Sequence, residues 1–194
     1  LMDLPACYTP LWVSPPDKPV DDRLVNSCLV SRYQYIYYMP LWAHMDVRML
    51  DITRSELDYK LLFIPGVAVM DDTTATKIRD YVKNGGTVIM TANSAVVDET
   101  GKVFSTTRPG RLSDVFGIRV ASFEETEVMN ELSPKAYKGK RIGLVYKGKE
   151  INTESARFDV IESKGAQVLA STTSLNKDYP IITSHRYGKG RAIY

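Results

Sequence analysis

The sequence predicts an α/β fold: a mostly parallel sheet flanked by helices, followed by an antiparallel, β-rich C-terminal part. Three observations carry this. Leu61 to Ile64 and Thr87 to Met90 are short apolar runs, each read as a strand buried on two faces. Between them Ala75, Ile78 and Val82 recur at helical spacing, with Asp71 or Asp72 able to cap the start and Gly85-Gly86 able to supply a left-handed stop. A connection this long closes two strands as a parallel pair with a right-handed crossover. From Ile118 onward the pattern changes to alternation, in Ile118-Arg-Val120, Ile142 to Tyr146 and Ala156 to Val160, which predicts antiparallel strands with one face solvated.

Along the chain, Leu1 to Val20 carries Pro5, Pro10, Pro15, Pro16 and Pro19, which forbids a long helix and makes this an irregular lead-in. Asp21-Asp22 caps a helical stretch in which Leu24 and Cys28, and Val25 and Leu29, stand at i,i+4 spacing. The aromatic run Tyr33, Tyr35, Tyr37, Tyr38 continues toward Leu41-Trp42, with a kink or break expected at Pro40. Val47 to Leu50 reads as a short strand and Thr53 to Asp58 as a turn. After the central unit come a turn at Asp98 to Lys102, a short helix from Leu112 to Phe116 stopped by Gly117, and the alternating strands. Gln167 to Ser171 and Ile181 to Ser184 read as further buried strands, and Tyr187 to Arg191 as a tight turn into a terminal strand. That strand pattern has no natural ending, so a single domain, residues 1–194, excised from a longer protein is expected.

Composition narrows the function classes. With 194 residues, 44% hydrophobic and 25% charged, the chain fits one globular domain that buries roughly 70% of its unfolded surface. A net charge of +2 lacks the basic stripe of a nucleic-acid module, so no nucleic-acid partner is expected. The longest apolar stretch, Leu61 to Met70, is broken by Pro65-Gly66 and is far shorter than a membrane span, so no membrane partner is expected either. Cys7 and Cys28 are the only cysteines, allowing one disulfide at most, with free thiols the expected state. The opening LMDLPACY shows no secretory leader, so a cytoplasmic location is expected, or a periplasmic one if a parent protein carries a signal peptide.

Ligands in open parallel sheets bind beyond the carboxyl ends of the strands, here Pro65-Gly66-Val67 and Thr91-Ala92-Asn93-Ser94. In glutamine-amidotransferase-like domains the second turn carries a nucleophilic cysteine and a glycine after the first strand helps bind the oxyanion. Asn93 or Ser94 stands at the nucleophile position and Gly66 at the glycine, so these three form a candidate vestigial elbow. A hydrolase needs an oriented base, and only His44 and His185 are available; a divergent Ser94–His185 hydrolase is the sharper alternative to a strand-end histidine bonded to backbone. Glu124, Glu125 and Glu127 are a nominal carboxylate set for glycoside hydrolysis, but adjacent acids on an alternating strand read as a solvated face. Lys135, Lys138, Lys140, Arg141, Lys147 and Lys149 read as solvated hairpin charge. No metal-ligand spacing and no phosphate-cradling loop occurs, so no cofactor and no catalytic residue is assigned. The aromatic segment is a candidate interface, with Tyr33, Tyr37, Trp42 and Met45 as anchors; a helix buried on most sides, or a sugar-stacking platform, are its other readings.

The run from Tyr59 to Phe104, then RPGRLSDVFGIRV, GAQVLAST and YPIITSHRYGKGRAIY, together resemble the trimerisation domain of glycoside hydrolase family 42 β-galactosidases, from about Tyr33 to Tyr194. The resemblance implies a flavodoxin-like, class I glutamine-amidotransferase-like fold without its nucleophile. It also implies a homotrimer and an upstream TIM-barrel catalytic domain. Leu1 to Val20 departs from the family in supplying no clear first strand. A TIM barrel takes about 250 residues, more than this chain has, so the catalytic barrel lies outside it. The expected function is therefore a non-catalytic assembly domain of a β-galactosidase-like enzyme. The alternative is a stand-alone amidotransferase-like or sugar-utilisation domain that handles a small molecule at the strand ends.

Overall fold

The computed structural model describes residues 37–38, 40–104, 107–125, 143–152, 157–174 and 177–194. The chain divides into two compact units, Leu1–Glu56 and Leu57–Tyr194. In the first, helical residues continue past Pro40 to Trp42, where His44 takes a left-handed φ of 56° and the Met45 amide donates to the Pro40 carbonyl at 3.0 Å. Residues 47–50, expected as a strand, form none. Among the described residues they meet no partner ladder, and the next residues are tied locally: Asp51 Oδ1 accepts from the Thr53 amide and hydroxyl at 2.9 and 2.6 Å, closing a turn.

The second unit is built on β1 (Leu61–Ile64), α1 (Asp72–Lys83) and β2 (Thr87–Met90). Asp71 caps α1, its carboxylate accepting from the Thr74 amide at 2.6 Å. At the other end the Gly86 amide reaches the Tyr81 carbonyl at 3.0 Å, and Gly85 takes a φ of 121° that suits only glycine. Ala75, Ile78 and Val82 are all buried, as their spacing requires. Two short elements follow, a 3-10 turn at Gly110–Leu112 and α2 (Ser113–Phe116), the latter stopped by left-handed Gly117. The remaining strands are β3 (Ile118–Glu125), β4 (Gly143–Tyr146), β5 (Lys149–Asn152), β6 (Arg157–Ser163), β7 (Gln167–Ser174), β8 (Lys177–Tyr187) and β9 (Gly190–Ile193).

Seven strands form one mixed sheet in the order β1-β2-β9-β8-β7-β4-β5, and β3 pairs with β6 in a separate antiparallel ribbon. Only β1–β2 and β2–β9 are parallel; β9–β8, β8–β7, β7–β4 and β4–β5 are antiparallel. The expectation of a mostly parallel sheet is therefore corrected among the described residues. Parallel neighbours need a crossover of a dozen residues or more, and the turns at Lys147-Gly148 and Gly188-Lys189 are far too short to provide one.

Burial of β1 and β2 on both faces is corrected too. Leu62, Ile64, Val88 and Met90 are buried, while Leu61 is 42% and Phe63 38% exposed and Ile89 is half-buried. Among the described residues β1 is the edge strand of the sheet. The alternating strands expected from Ile118 onward all form, with a bulge in β3 between Val120 and Ser122.

Backbone contact between α1 and β9 is close. The Lys189 amide donates to the Lys83 carbonyl at 3.0 Å and the Arg191 amide to the Gly86 carbonyl at 3.1 Å. A Cβ on Gly190 would run into the carbonyl oxygens of Val82 and Gly86. Arg111 braces the opposite end of α1: it bonds the Met70 carbonyl at 2.7 Å and Glu99 at 3.0 Å, pairs with Asp72, and lies over the Phe104 ring. Gly190→Ala is expected to destabilise the chain by about 3 kcal/mol, because the atoms it meets are fixed backbone. Gly101→Ala, at a φ of 83° but facing open space, should cost only about 1–2 kcal/mol. Urea unfolding of both variants measures the difference.

Candidate functional site at the strand ends

The segments leaving β1 and β2 run side by side instead of diverging. The Thr91 amide donates to the Ile64 carbonyl at 3.1 Å, the Ala95 amide to Val67 and the Val96 amide to Ala68 at 2.8 Å each, and Val69 bridges Val97 in parallel. The turn that breaks the ladder uses two left-handed residues, Asn93 at φ 64° and Ala95 at φ 51°. Asn93 tolerates that region better than most residues because its short polar side chain bonds locally. No helix follows the turn. A nucleophile elbow needs a strand that breaks sharply into a helix, and here the chain passes through a turn and a bend at Ala95 to the bridge at Val97.

Each part of the candidate elbow is occupied. The Gly66 amide, at a φ of 60°, donates to Thr91 Oγ1 at 2.9 Å and is not free to receive an oxyanion. Ser94 is 2% exposed, and its hydroxyl faces the Ile64 carbonyl at 3.5 Å, too long for a strong bond. Asn93 is exposed. His185 does not serve Ser94: its Nδ1 donates to the Val115 carbonyl at 2.9 Å, and its ring lies where a Cβ on Gly117 would be. This is the strand-end histidine bonded to backbone.

Three residues that sequence patterns did not single out complete the site. Arg108, Asp159 and Tyr194 line a small crevice together with Asn93, Ser94, Val96 and Val120. Its cavity is about 10 Å³, whereas ligand pockets run from about 300 Å³ upward. Tyr194 Oη donates to Asp159 Oδ2 at 2.6 Å, and the ring packs edge-on against Phe116 with centroids 6.0 Å apart. Burial pushes the Tyr194 phenol well above its ordinary value, and the charge and hydrogen bond of Asp159 add to the rise. Arg108 acts on it in the opposite sense. The Arg108 Nε is buried without a hydrogen-bond partner. Tyr194 ends the strand that GKGR announces, but nothing local in the sequence marks Asp159 or Arg108 as its neighbours.

Gly66, His185, Lys147 and Lys149, the other described candidates of the second unit, are not in the lining of this crevice. Glu124 and Glu125 stand opposite Phe158 and Arg157 in the register of the β3–β6 ribbon. Glu127, Tyr33, Cys7, Cys28 and the basic residues from Lys135 to Arg141 lie outside the described residues. Lys147 and Lys149 are exposed on the β4–β5 hairpin, and His44 is exposed in its turn. Tyr37 is half-buried, while Trp42 is 71% and Met45 51% exposed. Tyr38 stacks on Trp42 at a centroid distance of 6.2 Å and an interplanar angle of 20°. Among the described residues no group of acidic, histidine or cysteine side chains is placed to hold a metal, and no helix is long and apolar enough to cross a membrane.

Against known proteins, the family profile described as the beta-galactosidase trimerisation domain matches residues 32–194. Beta-galactosidase Pbg of Clostridium perfringens is 33% identical over 165 residues, covering 81% of this chain and 23% of that protein. Beta-galactosidase BgaA of a Planococcus species is 30% identical over 162 residues, again 81% of this chain and 23% of the relative. A solved GH42 beta-galactosidase from G. stearothermophilus, a catalytic mutant, superposes with a TM-score of 0.68 at 27% identity, covering 81% of this chain and 22% of that one. The chain thus spans about a quarter of the length of these relatives.

The Tyr194 geometry sets a pH dependence. The folded state raises the phenol above the unfolded value of about 10, so the associated stability is whole below that pH and is lost as pH rises through the folded value. Urea midpoints should fall in alkaline solution, and Tyr194→Phe should flatten the fall while costing about 1.5–3 kcal/mol at neutral pH through the lost bond to Asp159. Equal alkaline slopes in the two proteins would contradict the assignment.

Proposed function

Because the chain belongs to the beta-galactosidase trimerisation domain family, we propose that it is a non-catalytic assembly module of a β-galactosidase-like glycoside hydrolase. In this reading it follows a TIM-barrel catalytic domain and packs subunits into a homotrimer. The observation that carries it is the state of the strand ends: the position of a nucleophile is a buried serine, the position of an oxyanion donor is spent on Thr91, and the crevice has no room for a sugar ring. The names of the Clostridium and Planococcus relatives support β-galactosidase activity for the parent. The β1-α1-β2-β9 parallel core supports reading the fold as class I glutamine-amidotransferase-like, with the elbow reduced to a connection. A cytoplasmic location fits a chain whose two cysteines offer no disulfide framework.

Assembly needs an apolar surface, and the aromatic segment supplies one. Tyr38, Leu41, Trp42, Met45 and Met49 are all exposed within twelve residues, an enrichment in aromatics and methionine typical of subunit contacts. Tyr33 and Tyr37 extend the same stretch of sequence as candidate anchors. Association costs about 4–15 kcal/mol of rigid-body freedom, which a partial interface does not offset. The isolated chain is therefore expected to be a monomer or weak oligomer and the full-length protein a trimer.

Light scattering on both checks this, with Tyr37→Glu and Trp42→Glu introduced into each. A monomeric parent, or a trimer indifferent to replacement of every exposed aromatic in the segment, contradicts the interface. The chain alone should turn over no nitrophenyl galactoside at micromolar concentration, and Ser94→Ala should change its stability only slightly. Stoichiometric labelling of Ser94 by a fluorophosphonate would instead establish a working nucleophile.

A further inference from the structure

The crevice at the strand ends brings together an unmatched donor and an unmatched acceptor. Among the described residues Arg108 Nε is buried with no hydrogen-bond partner. Among the described residues the Asp159 carboxylate accepts only from Tyr194, through Oδ2, which leaves Oδ1 with its lone pairs uncommitted. Arg108 and Asp159 line the same crevice, and among the described residues no ion pair joins them; polar groups of opposite charge in one crevice are commonly bridged by a water.

Size and charge select the occupant. A cavity of about 10 Å³ is near the lower limit for one water and far below that for a sugar or a nucleotide. The two charges cancel, so a small anion meets the Asp159 carboxylate and a metal cation meets the Arg108 guanidinium. Water alone satisfies both, since it accepts from Nε–H and donates to a carboxylate oxygen, with the Ser94 hydroxyl in the same lining as a third partner. We propose that one ordered water is bound in this crevice, accepting from Arg108 Nε and donating to Asp159 Oδ1. It completes a hydrogen-bond chain from Arg108 through water and Asp159 to Tyr194. That chain ties the loop before α2, strand β6 and the end of β9 together, and it keeps the strand-end position closed to larger ligands. The proposal does not depend on whether the parent is a trimer.

The test uses the 194-residue chain. A crystal structure at a resolution that shows ordered solvent should contain one peak within hydrogen-bond distance of both Arg108 Nε and Asp159 Oδ1, and a bromide soak should leave no anomalous signal there. Oxygen-17 relaxation dispersion should count one fewer long-lived internal water in Arg108→Met than in the unmodified protein, while Asp159→Asn, which keeps an acceptor, retains it. A direct Arg108–Asp159 contact, a bromide peak, or no water at the site in the unmodified crystal overturns the proposal without reference to either variant. An unchanged water count in a folded Arg108→Met overturns it as well.

Discussion

The structure depends on how closely β9 lies against the end of α1. Among the described strands β9 is the one that belongs to both halves of the sheet, parallel to β2 on one side and antiparallel to β8 on the other. For it to occupy that place its backbone must pass within hydrogen-bonding reach of the helix terminus, and it does so through Lys189 to Lys83 and Arg191 to Gly86. The first of these bonds also satisfies a carbonyl at the end of α1 that the helix itself leaves unpaired. Gly190 is required there for want of any space for a side chain, whereas Gly188 is required for its left-handed φ of 60° in the turn as well as for its contact with Lys83. The two glycines of one short motif thus serve different physical needs.

What was legible in the sequence follows the range of the interaction. α1 was fully legible, because its cap at Asp71, its apolar spacing and its glycine stop all lie within sixteen residues. The turn at Gly117 and the alternating strands were legible for the same reason. Strand order was not, since nothing near Gly190 in the chain says that β9 inserts beside β2. The misjudged faces of β1 have a related cause: a short apolar run signals burial, and only the tertiary arrangement decides that Leu61 and Phe63 stand on an edge. Of the strand-end site, Gly66, Asn93 and Ser94 could be located from the strands that precede them, but Arg108 and Asp159 come from a loop and a strand far away in sequence. The left-handed φ of Asn93 was not read from the sequence, although asparagine tolerates that region better than most residues.

At the strand ends, where open parallel sheets offer room for a ligand, backbone pairing and burial fill the space. The ladder from Ala95 and Val96 to Val67 and Ala68 uses up the backbone groups that an open crevice would offer, and Ser94 turns inward. Polar side chains remain, but they engage one another: Tyr194 is held by Asp159, and the phenol stays neutral across the range in which proteins work.

The position of β9 also governs the order in which this chain reaches its native state. Thr87 is paired with Arg191, a partner about a hundred residues later, so contact order across the central pairing is high and its closure slow. During synthesis β1, α1 and β2 leave the ribosome early, with one flank of β2 unpaired and the end of α1 without its backbone partners. They must wait until β8 and β9 have been made and folded back as a hairpin. Through that interval the exposed strand edge of β2 and the apolar side chains of β1 are open to mispairing with other nascent chains. Synthesis of β9 is the event that ends this exposure.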